Sequence, residues 1–355
     1  MKKNLFYIIT LLTTIIILFL IQETAFKYLS KYFAEEKSYN LIKKYINETN
    51  HVRSHVDYSI CNENNKPQCL LFNKITNIES KKTIYINGDS WAEGLRVVEL
   101  ADNTFSKFST KNNIDIIFAG TTSYSFSPML SQLKILNRDW DINPDIIVSI
   151  FDQTDIGDEL CRYKNHRVIT SSGDIIVKKF GKNNIDEVYN YSHFLNRHKI
   201  FYSNDLKFVK IIKLLNQQIK KKKLIPSKPK CTFDVIQEYL TKQLSIEDKK
   251  YIEDMINQYI DKVFQYRTVN KLLIVTHPHK QHFQGVYKLD IGDIIEKVVR
   301  ESYYKERITL INFTKKNLLN LNDFIVDDPA SHLKYKISYP KYASYILEVL
   351  EKEIN

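Results

Sequence analysis

The stretch Thr83-Ile84-Tyr85-Ile86-Asn87-Gly88-Asp89-Ser90-Trp91 reads as a buried strand that runs into a tight turn and then a helix. Its apolar half has the length and β-branched content of a core strand. Gly88 permits the turn. Ser90 then falls where free backbone N–H groups gather and the helix dipole favours developing negative charge. In open α/β sheets, ligands bind outside the carboxyl ends of the strands. Taken alone, Gly88-Asp89-Ser90 reads equally well as a plain turn with Ser90 capping a helix.

Four further apolar runs have the same character, at 114–119, 146–151, 272–276 and 308–313. Helical patterns lie between several of them, at 91–105, 129–137 and 291–304, and another closes the chain at 339–353. Alternating strand and helix predicts an α/β fold whose parallel sheet is covered on both faces. Between the third and fourth runs stands an insertion at about 159–268, with helical patterns at 205–222 and 233–265 and a basic loop at 220–230. It is expected to form a lid or side lobe.

Residues 5–21 carry no charge and would span roughly 26 Å as a helix, close to a bilayer core. Lys2 and Lys3 precede them, so the positive-inside bias leaves the N-terminus in the cytoplasm and the rest outside. A cleaved signal peptide is the alternative, but no small-x-small site follows. The expected organisation is a cytoplasmic stub and transmembrane anchor at 1–23, a helical stalk and cysteine loop at 24–80, and a main domain at 81–355. An extracytoplasmic, periplasmic or cell-surface, location lets disulfides persist. Cys61 and Cys69 bracket a short turn-rich loop, and Cys161 and Cys231 are left to pair by elimination. With 43% hydrophobic and 26% charged residues, the chain is not a disordered one. The formal net charge of +11 suits anionic partners or a solvated lysine surface. No nucleic-acid partner is expected.

Chemistry-bearing residues recur at the other strand ends. Gly120 follows the second run, and its N–H can approach an oxyanion. Asp152-Gln153-Thr154-Asp155 follows the third. Asp327-Asp328-Pro329-Ala330-Ser331-His332 stands before the last helix. A histidine there can accept the Ser90 proton, and a nearby aspartate can fix its tautomer. His277-Pro278-His279-Lys280-Gln281-His282, after the fourth run, reads as metal ligation or as a substrate-facing rim. No metal and no cofactor are expected. Asp155, His277, His279 and Arg162 are candidate substrate contacts.

This ordered set resembles the SGNH/GDSL hydrolase family over roughly 83–350, most of the insertion excepted. Gly88-Asp89-Ser90 is similar to its first block, Gly120 to its second-block glycine, and Asp327 to His332 to its last block. The resemblance implies a flavodoxin-like three-layer sandwich with a five-stranded parallel sheet. It implies a Ser90-His332-Asp328 site, and an oxyanion hole built from the Ser90 and Gly120 N–H groups and a third-block side chain. Two departures stand out. Thr154 occupies the place of the family's oxyanion asparagine, leaving Thr154 or Gln153 as donor. Pro329 stands three residues before His332, where the family has aspartate, leaving Asp328 or Asp327 to orient the base. The implied activity is that of an esterase or O-acyltransferase on acyl esters, with an envelope glycan as the expected substrate. A lipid esterase, or an impaired glycan-binding protein, are the alternatives.

Overall fold

The computed structural model describes residues 7, 9–15, 17–18, 72–95, 104–177 and 231–354. Residues 9–15 are helical. Among the described residues no helix is long and apolar enough to cross a membrane. The rest of the expected anchor, the stalk, Cys61, Cys69 and the 205–222 helix lie outside the described residues. The sheet and the helices around it belong to one compact unit of the chain.

The short strand β1 (Asn73–Ile75) precedes β2 (Lys82–Gly88), helix α1 (Ser90–Gly94) and α2 (Ser106–Asn112). Then come β3 (Ile114–Phe118), α3 (Phe126–Trp140), β4 (Ile146–Phe151), the single turn α4 (Asp155–Gly157) and a π-helix (Asp158–Tyr163). A hairpin of β5 (Arg167–Ile169) and β6 (Ile175–Val177) follows, then α5 (Phe233–Thr241) and α6 (Ile246–Phe264). The chain closes with β7 (Lys271–Thr276), α7 (Lys280–Phe283), α8 (Ile291–Glu301), β8 (Ile308–Asn312), α9 (Phe313–Lys316) and α10 (Ser338–Ile354).

The main sheet has six strands in the order β1-β3-β2-β4-β7-β8. The strands β3, β2, β4, β7 and β8 are parallel and coincide with the five apolar runs. A sixth strand, β1, adds antiparallel to β3. It corrects the expected count of five. Three residues, Asn73-Lys74-Ile75, are too short to show a period of two, so only pairing reveals them. The order within the parallel set, second-first-third-fourth-fifth, is the flavodoxin-like one.

Alternation along β2 divides the two faces. Ile84 and Ile86 join Val148, Ile150, Leu273, Val275 and Ile311 under α10, which contributes Tyr342, Ile346 and Leu350. Tyr85 and Asn87 point the other way: Tyr85 Oη donates to Gln132 Oε1 of α3 at 3.0 Å, and Asn87 Nδ2 donates to Tyr259 Oη of α6 at 2.9 Å. Helix α6, expected inside a side lobe, thus lies on the sheet with Ile252, Met255, Ile256, Tyr259 and Ile260 buried. The expected single helix over 233–265 is two. Ser245 ends the run, because its hydroxyl accepts from Asp248 N at 3.0 Å and caps α6. Cys161 and Cys231 form a disulfide, with Cα atoms 5.7 Å apart.

Candidate active site

Strand β2 delivers the turn that carries Ser90. Gly88 has φ +146°, and a Cβ there would lie 2.5 Å from Ile150 O on β4, so only glycine fits. Asp89 caps α1, with Trp91 N donating to its Oδ1 at 2.9 Å. Ser90 opens the helix and stays partly exposed.

The last block comes to Ser90 from the far end of the sequence. An antiparallel bridge between Phe324 and Leu333 closes a loop, and Ile325 N donates to His332 O at 2.9 Å within it. His332 Nε2 lies 2.9 Å from Ser90 Oγ, and His332 Nδ1 lies 2.6 Å from Asp328 Oδ2. A carboxylate only accepts, so Nδ1 carries the proton and Nε2 is left to accept from the serine. Asp328 also accepts from His332 N at 2.8 Å and Ala330 N at 3.0 Å. Burial pushes the Asp328 carboxyl up, but the bonds and charge of His332 and the two amides outweigh it and hold it at about 2. Pro329 instead turns its carbonyl outward, where Gln237 Nε2 and Gln281 Nε2 each donate to it at 3.1 Å.

Ser90 Oγ also lies 3.1 Å from Asp89 Oδ2. Burial, and then the charge of Asp152, push the Asp89 carboxyl well above the usual range.

The third block is arranged differently from its expected part. Thr154 N donates to Asp152 Oδ2 at 2.9 Å, and the Thr154 hydroxyl bonds the same oxygen. Gln153 Nε2 donates to His277 O at 2.7 Å and Asp290 Oδ1 at 3.0 Å, while Gln153 Oε1 accepts from Ile291 N at 3.0 Å. Both side chains are therefore engaged inside the protein, and neither has a donor directed at an oxyanion. The cause is local: the Asp152 carboxylate, two residues before Thr154, captures the threonine.

Asp152 Oδ1 accepts from His277 Nε2 at 2.9 Å and from His279 Nε2 at 2.5 Å. The Trp91 ring stacks on His277 with centroids 3.4 Å apart, and His277 Nδ1 meets Tyr342 Oη at 3.2 Å. Burial takes His277 down to about 4, so it stands neutral. Burial acts against Asp152, but the two histidines hold it well below the carboxylate range. These three ligand atoms lie within 4.8 Å of one another, the one such set among the described residues. Their 2.5 and 2.9 Å separations are hydrogen-bond lengths. Ligands of a tetrahedral zinc at about 2.0–2.2 Å stand further apart, above about 3 Å.

The expected substrate contacts divide accordingly. His277, His279 and Asp155 are 0% exposed, so they form no rim that a substrate can touch. Residue type pointed to a polar rim, but packing under Trp91 turns the histidines inward. Asp155 Oδ2 accepts from Asp152 N at 3.1 Å. Arg162 is partly exposed and paired with Asp158 at 3.0 Å. Gly120 rests on α1, where a Cβ would collide with Glu93 N and Ala92 C. Sequence reasoning missed Asp152 as the partner of both histidines, since 125 and 127 residues separate them.

No family model matches the chain, and no curated protein sequence matches it. Among solved structures it is similar to an alpha/beta hydrolase from the metagenome of Lake Arreo, Spain, at 11% identity and a TM-score of 0.38, covering 77% of this chain and 97% of that one. It is similar to an acetyl xylan esterase from the rumen bacterium Butyrivibrio proteoclasticus, at 9% identity and a TM-score of 0.38, covering 78% of this chain and 64% of that one. An acetylxylan esterase from Geobacillus stearothermophilus gives 9% identity and a TM-score of 0.36, covering 78% of this chain and 96% of that one.

Proposed function

We propose that this protein is an SGNH-type serine esterase or O-acyltransferase acting on acyl esters of a carbohydrate. The observation that carries the reading is the chain of contacts from Ser90 Oγ to His332 Nε2 at 2.9 Å and from His332 Nδ1 to Asp328 Oδ2 at 2.6 Å. Asp328 takes the orienting role, and Asp327 none. As Ser90 Oγ bonds the acyl carbon, its proton passes to His332 Nε2, and Asp328 stabilises the imidazolium. The carbonyl electron pair moves onto oxygen, where the Ser90 and Gly120 N–H groups receive it. Collapse breaks the ester C–O bond, and His332 returns its proton to the leaving alcohol. Water or a second hydroxyl then repeats the steps in reverse on the acyl-enzyme. The carbohydrate ester as substrate rests on the sequence resemblance and on the apolar stretch at 5–21.

Hydrolysis of p-nitrophenyl acetate by the wild type against Ser90→Ala tests the chemistry, with acetylated xylo-oligosaccharide and phospholipid vesicles as further arms. Ser90→Ala is expected to lose roughly 10³-fold or more in kcat. Equal rates for the two proteins would sink the esterase reading. Turnover of the vesicles alone would move the substrate class to lipid.

A further inference from the structure

The nucleophile turn and the loop after β3 are joined by more than their strands. Ala119 N donates to Ile86 O at 2.8 Å, and Thr121 N donates to Gly88 O at 2.9 Å. Gly120 lies between these two bonds with its backbone against the first turn of α1. One side chain then closes the arrangement. Glu93, the fourth residue of α1, is 6% exposed. Its Oε2 accepts from Thr122 N at 2.9 Å and from Thr122 Oγ1 at 2.5 Å. A buried carboxyl group is costly unless it is hydrogen-bonded, and here one oxygen receives both the backbone and the side-chain donor of the same residue. So the contact is a firm link between the helix that begins with Ser90 and the loop that contains Gly120.

That link bears on the reaction because of what the third block lacks. The side chains of Gln153 and Thr154 are engaged elsewhere. On the esterase reading, the oxyanion is then left to two backbone groups, Ser90 N–H and Gly120 N–H. Such donors act through their fixed aim at the developing charge, and a displacement of about 1 Å forfeits much of the effect. Ser90 N belongs to α1 and Gly120 N to the loop, so their mutual placement depends on how the loop is held to the helix.

We propose that Glu93 is a positioning residue for the oxyanion hole, acting through Thr122 to fix Gly120 against Ser90. The proposal rests on the esterase reading. Glu93 itself touches neither substrate nor nucleophile oxygen in this role.

The test measures kcat and KM for p-nitrophenyl acetate in the wild type, Glu93→Ala, Glu93→Gln, Thr122→Val and Thr122→Ser. Folding is checked by circular dichroism, and rates are taken well below each melting point. Glu93→Ala is expected to lower kcat about 10- to 100-fold, with KM within about twofold of wild type. Glu93→Gln keeps an amide oxygen that accepts both bonds, and it is expected to recover kcat to within about fivefold. Thr122→Val is expected to lower kcat, and Thr122→Ser to restore it. Should Glu93→Ala not fold, the threonine pair decides: a wild-type kcat in Thr122→Val overturns the proposal. Wild-type kcat in a folded Glu93→Ala, or a Glu93→Gln as impaired as Glu93→Ala, overturns it as well. An active, Ser90-dependent wild type with those outcomes leaves the esterase reading standing. A wild type without Ser90-dependent hydrolysis removes both.

Discussion

Asp328 reaches His332 across a turn that the sequence pattern disfavours. With proline three residues before the histidine, the carboxylate comes from one position further back. Ser331, at φ +56°, supplies the extra bend. A non-glycine residue in the left-handed region costs about 1–3 kcal/mol and persists only where its surroundings hold it. Here the Ser331 hydroxyl donates to Gln281 Oε1 at 2.6 Å and accepts from Lys280 N at 3.3 Å. Asp328→Asn is expected to lower kcat by roughly 10²- to 10⁴-fold, because the amide no longer selects the right tautomer. The same residue has a stability signature. Its folded pKa of about 2 lies below the unfolded value of about 3.9, so its contribution is present above pH ~4 and is lost as pH falls through about 2. Denaturant midpoints of wild type and Asp328→Asn should therefore converge across that window. A constant difference down to pH 2 would count against the bond.

At the scale of elements, the last block is held by pieces from the middle of the chain. Helix α5 begins just after Cys231, which is tied to Cys161 in the π-helix that follows β4. Ile236 of α5 packs on Gly157, where a Cβ would come within 2.6 Å of Ile236 Cγ2 and O. One residue on, Gln237 donates to Pro329 O at 3.1 Å, in the loop that presents His332. The disulfide, α5 and the loop that carries His332 thus form one mechanical series. Cys231→Ser is expected to cost about 2–4 kcal/mol in denaturant unfolding, the range for a bond that closes a long segment. It should also lower kcat several-fold, about 3- to 10-fold, through Pro329. Unchanged kcat in the folded variant would show that α5 does not govern the loop.

At the scale of the whole molecule, a parallel sheet gathers residues that are far apart in the chain. The carboxyl ends of β2, β3, β4 and β7 bring Ser90, Gly120, Asp152 and His277 to one edge, and α10 follows the loop that adds His332. Beneath α1 this concentrates buried ionisable groups. His277 is the clearest for stability: burial lowers its pKa from 6.5 to about 4. The unfolded chain then binds a proton that the folded one refuses, so stability falls as pH drops from about 6.5 to about 4 and is level above that range. His277→Asn should flatten this part of the profile of melting temperature against pH. An equally steep fall in the variant would assign the effect to other groups.

What the sequence by itself determined is what depends on neighbours in the chain. The five parallel strands were legible because apolar, β-branched runs of strand length report burial directly. Ser90 was legible because a strand-turn-helix junction is local, and His332 because it stands before the closing helix. The tertiary structure decided the rest. β1 is defined only by its partner β3. The choice of Asp328 depends on a turn fixed by Gln281 and Lys280 from another element. His277 and His279 face inward because Asp152, on a neighbouring strand end, offers one oxygen to both. Thr154 and Gln153 carry donors, but donors have direction, and the direction was set by Asp152, Asp290 and the His277 carbonyl. A residue's chemistry is written in its side chain, but which way that side chain points follows from contacts made across the sheet.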